Sequence, residues 1–116
     1  KELAENGDFD SDRSPGKLYP LDIKNRYIQH LLGYINPSDL KPLKVVVNAG
    51  NGCAGPTIDL LESLLPIEFI KVHHQPDGNF PNGIPNPLLP ENRSATRDAV
   101  LKHKADIGIV ILSLFI

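Results

Sequence analysis

Three glycines lie between a β-branched segment and an amphipathic segment, in a turn of a kind that can hold an anion. Residues 45–47 are valines, residues 50–55 read Gly-Asn-Gly-Cys-Ala-Gly, and residues 56–65 are predicted to form a helix. Glycine allows close backbone approach, and the free N–H groups of a helix N-terminus attract phosphate. A dinucleotide site also needs an acid about 20 residues further on, but the nearest acid is Glu68. The preferred interpretation is an ordinary strand-to-helix turn, and a nucleotide-binding turn is the alternative.

Two groups of ionisable side chains suggest a metal site or acid–base chemistry. His73 and His74 precede Asp77 at the end of a predicted strand. Because adjacent strand residues point to opposite faces, the two imidazoles do not converge on one ion, and a strand end followed by a loop is favoured. Asp59 and Glu62 lie one turn apart on a helix whose other face is apolar. A solvated helix face is favoured there over a catalytic pair of carboxylates.

Four further side chains have reactive or charged groups. Arg93 and Arg97 lie one turn apart at a predicted helix start, where surface salt bridges are favoured over a phosphate site. Asp106 precedes the last predicted strand and is expected to make a turn or edge contact. Cys53 lies in the glycine-rich turn and is expected to be a small, half-buried thiol rather than a reactive one.

Length and composition exclude several classes of protein. The 116 residues allow at most one ordinary domain, and 12 basic against 14 acidic residues give a net charge of −2. No nucleic-acid or membrane-surface partner is therefore expected, and the apolar stretch at residues 107–116 is too short to span a bilayer. The single cysteine excludes an internal disulfide and fits a reducing, cytoplasmic compartment. The absence of Met and the apolar end predict a piece of a longer protein.

The apolar periodicity predicts alternating strands and helices after a polar loop or tail at residues 1–20. A helix is predicted from Asp22, its candidate N-cap, to residue 35, where the Asn-Pro step ends it. The elements that follow are a strand at 43–47, a helix at 56–65, a strand at 67–72, a proline-rich loop at 75–90, a second helix capped by Asn92 or Ser94, and a strand at 105–111.

This β-α-β-α-β order predicts an α/β fold, a three-layer α/β/α sandwich with a parallel or mixed sheet. The two helices must bury one face each against the sheet. The residues predicted to point inward are Ile58, Leu61, Leu64 and Leu65 in the first helix and Ala95, Ala99, Val100 and Leu101 in the second.

Five separated motifs occur in an order that is typical of one enzyme family. They are N-A-G-N-G-C-A-G at 48–55, P-D-G-N-F-P-N at 76–82, P-N-P at 85–87, P-E-N at 90–92 and A-D-I-G-I at 105–109. Together they resemble the second domain of the α-D-phosphohexomutases, which include the bacterial phosphomannomutases and phosphoglucomutases. The resemblance covers residues 21–111. It implies that residues 21–42 are the closing helix and linker of a first domain, and that residues 43–116 are a second domain truncated at its metal loop.

The resemblance implies a four-domain enzyme that interconverts hexose 6-phosphate and hexose 1-phosphate. A phosphoserine of the first domain would exchange its phosphoryl group with the sugar through a bisphosphate intermediate. Three aspartates of the second domain would hold Mg²⁺, and most of the catalysis would be positioning and charge stabilisation.

The sequence departs from the family pattern at the metal loop. In the family the A-D-I-G-I strand continues into D-G-D-x-D-R, and the three aspartate positions fall here on Leu112, Leu114 and Ile116. Mg²⁺ requires oxygen ligands, which these side chains lack. We therefore expect no metal, catalytic or cofactor-binding residue in this chain and no mutase activity from it alone.

The apolar residues 107–116 also predict an interaction. A strand without charge or proline at its edge tends to pair with another strand, so self-association through this C-terminal segment is expected. Two alternatives to a mutase fragment remain at this point, a non-catalytic α/β interaction module and a small nucleotide-binding domain that uses the turn at residues 50–55.

Overall fold

A computed structural model describes residues 1–7 and 16–112 of the chain. A short helix comes first, and after an irregular stretch the chain alternates between strands and helices. The elements are α1 (Glu2–Asn6), α2 (Lys24–Leu32), β1 (Leu43–Asn48), α3 (Ala54–Glu62), β2 (Ile67–Val72), α4 (Ser94–His103) and β3 (Ile107–Val110), with single 3₁₀ turns at Pro37–Asp39 and Pro90–Arg93.

The three strands form one parallel sheet in the order β2-β1-β3. Val45 of β1 lies opposite Phe69 of β2 and opposite Ile107 of β3. A strand with neighbours on both sides and helices on both faces is buried throughout, which is why β1 is a continuous run of valines. Val46 and Val47 are 0% and 1% exposed. The predicted β-α-β-α-β order is confirmed.

The side chains of β1 alternate between two helical layers. Val45 and Val47 pack with Ile58 of α3, whereas Asn48 donates a hydrogen bond to Thr96 of α4. Since alternate residues of a strand face opposite sides, α3 and α4 cover opposite faces of the sheet. The structure is therefore the predicted α/β/α sandwich.

The interior of the two covering helices is smaller than predicted. Ile58 is buried and Leu61 and Leu65 are half-buried, but Leu64 is 43% exposed. In α4 the buried side chain is Thr96, which the apolar pattern missed, and Leu101 is 70% exposed. The predictions for Leu64 and Leu101 are wrong because α3 ends at Glu62, so Leu64 lies beyond it, and Leu101 lies on a face of α4 that the small sheet does not cover.

Helix boundaries differ from the predicted ones by two or three residues at most ends. The helix predicted over 22–35 spans Lys24–Leu32, and the one predicted over 56–65 spans Ala54–Glu62. The expected loop at the N-terminus contains the five-residue helix α1, so that prediction is wrong there. Residues 8–15 and 113–116 lie outside the described residues, and with them most of the predicted C-terminal segment.

Candidate caps have other roles in the structure. Asp22 accepts the N–H of Lys24 at 3.0 Å, although Ile23 occupies the N-cap position. The α4 helix begins after Arg93. Asn92 instead donates to the carbonyl oxygens of Ile84 and Asn86 at 3.1 and 3.0 Å. Asn92 therefore stabilises the proline-rich loop rather than the helix.

Candidate functional site

The turn that follows β1 is fixed by the last residue of that strand. The Asn48 side-chain oxygen accepts the N–H of Gly50 at 2.9 Å, and its amide nitrogen donates to Thr96 Oγ1 at 3.0 Å. Asn48 is 3% exposed, so both bonds form away from water, where a lost partner is costly. This side chain ties the glycine-rich turn to α4.

The glycines of the turn make room for other parts of the protein. A Cβ atom at Gly50, whose φ is +56°, would overlap the Pro85 ring, and a Cβ atom at Gly55 would overlap the carbonyl oxygen of His74. The backbone that approaches these two glycines is therefore protein backbone. This packing supports the interpretation of the segment as an ordinary turn, since the glycines have a structural reason without a bound phosphate.

Asn51 fastens the proline-rich loop to this turn. Its side-chain nitrogen donates to the carbonyl oxygen of Gln75 at 2.9 Å, and its side-chain oxygen accepts from Asn82 at 2.8 Å. Its backbone N–H donates to His73 at 2.7 Å, and its carbonyl oxygen accepts from Asp77 at 2.8 Å. Asn51 is 7% exposed and has φ +57°, a conformation that asparagine tolerates well. Sequence reasoning missed this residue, although an asparagine between two turn glycines is a recognisable signal.

A polar cavity of about 100 Å³ lies where the carboxyl ends of β1 and β3 meet the proline-rich loop. Ligand pockets for drug-sized molecules are several times larger, so this cavity is too small for a hexose phosphate. Its lining includes Asn48, His73, Asn82, Asn92 and Ser94.

Asp59 and Glu62 do more than face solvent. The Lys71 ammonium lies 2.7 Å from a carboxylate oxygen of each, and His74 Nε2 lies 2.9 Å from Asp59 Oδ1. The hydrogen bond from Lys71, followed by that from His74, lowers the pKa of Asp59. Hydrogen bonds to Asp59 and then Glu62 raise the pKa of Lys71. Both carboxylates are nearly half exposed, as predicted, but the bridging lysine was not foreseen.

The two histidines do not converge, as the strand geometry predicted. His73 lines the polar cavity, while His74 binds Asp59. Asp77 accepts from the backbone and side chain of Asn79 at 2.9 and 3.1 Å, which makes it a turn residue. His74 Nδ1 is buried and has no hydrogen-bond partner among the described residues. These three residues therefore form no common site.

The two arginines have different partners. Arg97 pairs with Asp98 at 2.9 Å, as predicted. Arg93 instead donates to the carbonyl oxygens of Pro87 and Leu88, both at 2.8 Å, so the salt-bridge prediction is wrong for Arg93. This guanidinium holds the end of the proline-rich loop against the start of α4.

The edge contact predicted for Asp106 is confirmed. Asp106 Oδ2 accepts the N–H of Lys44 at 2.7 Å, and the Asp106 N–H donates to the Lys44 carbonyl oxygen at 2.8 Å. Asp106 thereby sets the start of β3 beside β1. The cysteine prediction is wrong, because Cys53 is exposed at the start of α3.

The chemistry of the described residues does not fit the metal that the motifs imply. Leu112 stands at the first of the three ligand positions and has no oxygen in its side chain, while Leu114 and Ile116 lie outside the described residues. Within residues 1–7 and 16–112, no group of three or more His, Cys, Asp or Glu side chains is arranged to hold a metal ion. A search of the same residues found no helix long and apolar enough to cross a membrane.

Comparison with known proteins gives consistent matches. Residues 25–111 match the family described as phosphoglucomutase/phosphomannomutase, alpha/beta/alpha domain II. A phosphomannomutase of Salmonella typhimurium is 55% identical over 114 residues, which cover 92% of this chain and 25% of that protein. A protein of Xanthomonas campestris pv. campestris named for phosphohexose mutases is 66% identical over 86 residues, 74% of this chain and 19% of the relative.

A solved structure agrees with the sequence matches. The crystal structure of a phosphoglucomutase/phosphomannomutase family protein from Burkholderia thailandensis superimposes with a TM-score of 0.72 at 33% identity. It covers 92% of this chain, and this chain covers 22% of it. The chain thus spans about a quarter or less of the length of the relatives that it matches.

Proposed function

Because the chain belongs to the phosphoglucomutase/phosphomannomutase family through its domain II, we propose that it is part of an enzyme that interconverts hexose 6-phosphate and hexose 1-phosphate. The observation that carries this proposal is the family match over residues 25–111, the same range that forms the α/β/α sandwich. The enzyme would be an isomerase of the cytoplasm that uses a phosphoserine and a sugar bisphosphate intermediate. Its partner would be a hexose phosphate, not a nucleic acid or a membrane.

The residues of this chain would supply a rigid platform in that enzyme. Asn48, Asn51 and Arg93 hold the two loops at the carboxyl ends of the strands through buried or well-aligned hydrogen bonds. Loops at that edge of a parallel sheet face the ligand in open α/β folds. Fixing them in advance reduces the entropy lost when a substrate is positioned.

The 116-residue polypeptide alone would be inactive. The family's phosphoserine lies in a first domain whose serine loop is not in this sequence, and Leu112, Leu114 and Ile116 offer no oxygen ligand for Mg²⁺. In the intact family Mg²⁺ neutralises charge on the transferring phosphoryl group. The residues at these three positions do not fit that ion, so no step through it is assigned to this chain.

The test is to determine the coding sequence beyond Ile116 and to assay the full product. Full product is expected to convert glucose 1-phosphate or mannose 1-phosphate into the 6-phosphate when the hexose 1,6-bisphosphate activator is present. The 116-residue polypeptide is expected to give no turnover under the same conditions. A full-length variant without the phosphorylatable serine controls for contaminating host enzyme.

Two outcomes would contradict the proposal. A full product that turns over neither sugar phosphate would favour the non-catalytic interaction module. A product that binds nucleotide but not sugar phosphate would favour a nucleotide-binding domain, although the packing of Gly50 and Gly55 against Pro85 and His74 weighs against that alternative.

A further inference from the structure

The two edges of the sheet differ in charge. On the β2 edge, Glu68 pairs with Lys44 at 3.2 Å, and Lys71 pairs with the carboxylates of α3. The β3 edge consists of Ile-Gly-Ile-Val and carries no charge. Charged side chains and prolines are the usual means by which an edge strand avoids pairing with other chains. Only the β2 edge has such protection among the described residues.

The β3 strand is also open on one face. Ile107 and Ile109 are 48% and 42% exposed, although Val45 and Val47 beside them are 3% and 1% exposed. The difference arises because Ile58 of α3 packs on the valines. Leu112, just beyond the strand, is 43% exposed. We call Ile107, Ile109 and Leu112 the β3 surface.

An apolar groove extends this surface across the protein. A groove of about 380 Å³ lies between α2, α3 and the end of β3, and its lining includes Tyr27, Ile58 and Ile111. Ile111 lies two residues beyond Ile109, and it packs with the core on the α3 side. The exposed apolar area therefore runs from the open edge into the groove, and contiguous apolar area of this kind marks an interaction site.

The remainder of the printed sequence is poorly suited to cover this surface. Four residues follow Leu112, whereas an antiparallel return along β3 needs a two-residue turn and then a strand of matching length. A parallel return needs a crossover of a dozen residues or more. Residues 8–15 contain three aspartates and an arginine, which suit water better than an apolar face. A second copy, in contrast, brings an identical uncharged strand.

We propose that two copies of this polypeptide pair edge to edge through β3. A twofold axis places the two β3 strands antiparallel and joins the two sheets into one. Each copy uses the same surface, as a closed twofold interface requires. The outward N–H and C=O groups of each β3 bond to the other, and the isoleucines of both copies pack together. This inference does not depend on the proposed mutase activity.

The experiment is sedimentation velocity of the 116-residue polypeptide over a wide range of concentrations. A monomer–dimer equilibrium is expected. Ile109→Lys places two ammonium groups close together across the axis, so its dimer dissociation constant is expected to rise at least tenfold. Leu88→Lys is the matched control, since Leu88 is 77% exposed in the proline-rich loop and its replacement is expected to leave the equilibrium unchanged.

A second measurement guards against a lysine variant that misfolds. Hydrogen exchange of the wild-type amides at residues 107–110 is expected to slow as the concentration rises. Three results would overturn the proposal: a monomer at all concentrations, an association that Ile109→Lys leaves unchanged, or growth into assemblies larger than a dimer. Protection of these amides in the monomer would also overturn it, because the chain would then cover its own strand.

Discussion

Gly55→Ala distinguishes the two interpretations of the glycine-rich turn by the sign of its effect on stability. Gly55 lies in the first turn of α3, where alanine is favoured over glycine by about 1 kcal/mol. If the glycine served a ligand's approach, the variant would be more stable by about this amount in the absence of ligand.

The packing predicts the opposite sign. The added Cβ would overlap the carbonyl oxygen of His74, and a backbone atom cannot rotate away. Overpacking costs typically 1–3 kcal/mol, and the rigid neighbour puts Gly55 at the upper end. After the helix gain of about 1 kcal/mol is subtracted, we expect a net destabilisation of about 2 kcal/mol. For a domain of this size that corresponds to a fall in Tm of roughly 6–10 °C.

The assay is urea denaturation followed by circular dichroism at low protein concentration, where dimerisation contributes least. Gly78→Ala is the control, because nothing lies within 4 Å of a Cβ at Gly78 and its φ is not in the left-handed region. The control is expected to change the free energy of unfolding by less than about 1 kcal/mol, towards greater stability. If Gly55→Ala proves as stable as wild type or more stable, the packing explanation is refuted.

Three further predictions concern the loop, the ion pairs and the metal. Asn51→Ala is expected to expose the loop at residues 75–90 to limited proteolysis well below the unfolding temperature, because four hydrogen bonds depend on Asn51 and two of them on its side chain; an unchanged cleavage pattern would contradict its role. Lys71→Met is expected to cost about 0.5–1 kcal/mol near neutral pH, the value of half-exposed ion pairs. In wild type the contribution of Asp59 is present above the ordinary aspartate pKa of about 3.9 and is lost as pH falls through its lowered pKa. That of Lys71 is present below about 10.4 and is lost as pH rises through its raised pKa, so stability curves of wild type and Lys71→Met should converge at both extremes, and parallel curves would count against the pairing. Calorimetric titration with Mg²⁺ is expected to find at best millimolar binding, since Leu112 offers no ligand, and micromolar binding would show that the ligands lie elsewhere.

Strands were predictable from the sequence because their signal is local. The second strand spans Ile67–Val72 as predicted, bounded by Pro66 at one end and the His-His step at the other. The valine run predicted β1 to within one residue. Burial on both faces leaves a continuous apolar segment in the sequence, and no knowledge of the partner strands is needed to recognise it.

Helix starts were harder to predict because tertiary contacts decide them. The N-cap positions of α2, α3 and α4 are occupied by Ile23, Cys53 and Arg93, none of which belongs to the usual capping residues. The polar candidates Asn92 and Ser94 bond to carbonyl groups of the preceding loop. Local preference for a cap is worth about 1 kcal/mol, so long-range hydrogen bonds can outweigh it.

The polar contacts of the candidate site depend on residues far apart in sequence. Asn51 reaches Asn82, and Lys71 reaches Asp59 across the β2–α3 layer. Periodicity shows which face of an element is apolar, but it does not show which polar side chains meet when two elements pack. The motif spacing predicted the family and the sheet, whereas these pairings needed the three-dimensional structure.

The strand order also bears on how the chain acquires its structure during synthesis. β1 pairs with β2 across one helix, but its pairing with β3 joins Val45 to Ile107 and closes a loop more than twice as long. Loop-closure entropy makes the longer pairing costlier by about 0.8 kcal/mol. The unit β1-α3-β2 can therefore form on the ribosome before β3 has been made. A nascent chain at that stage carries the central valines with one neighbouring strand still missing, and that interval is when it is most exposed to wrong partners.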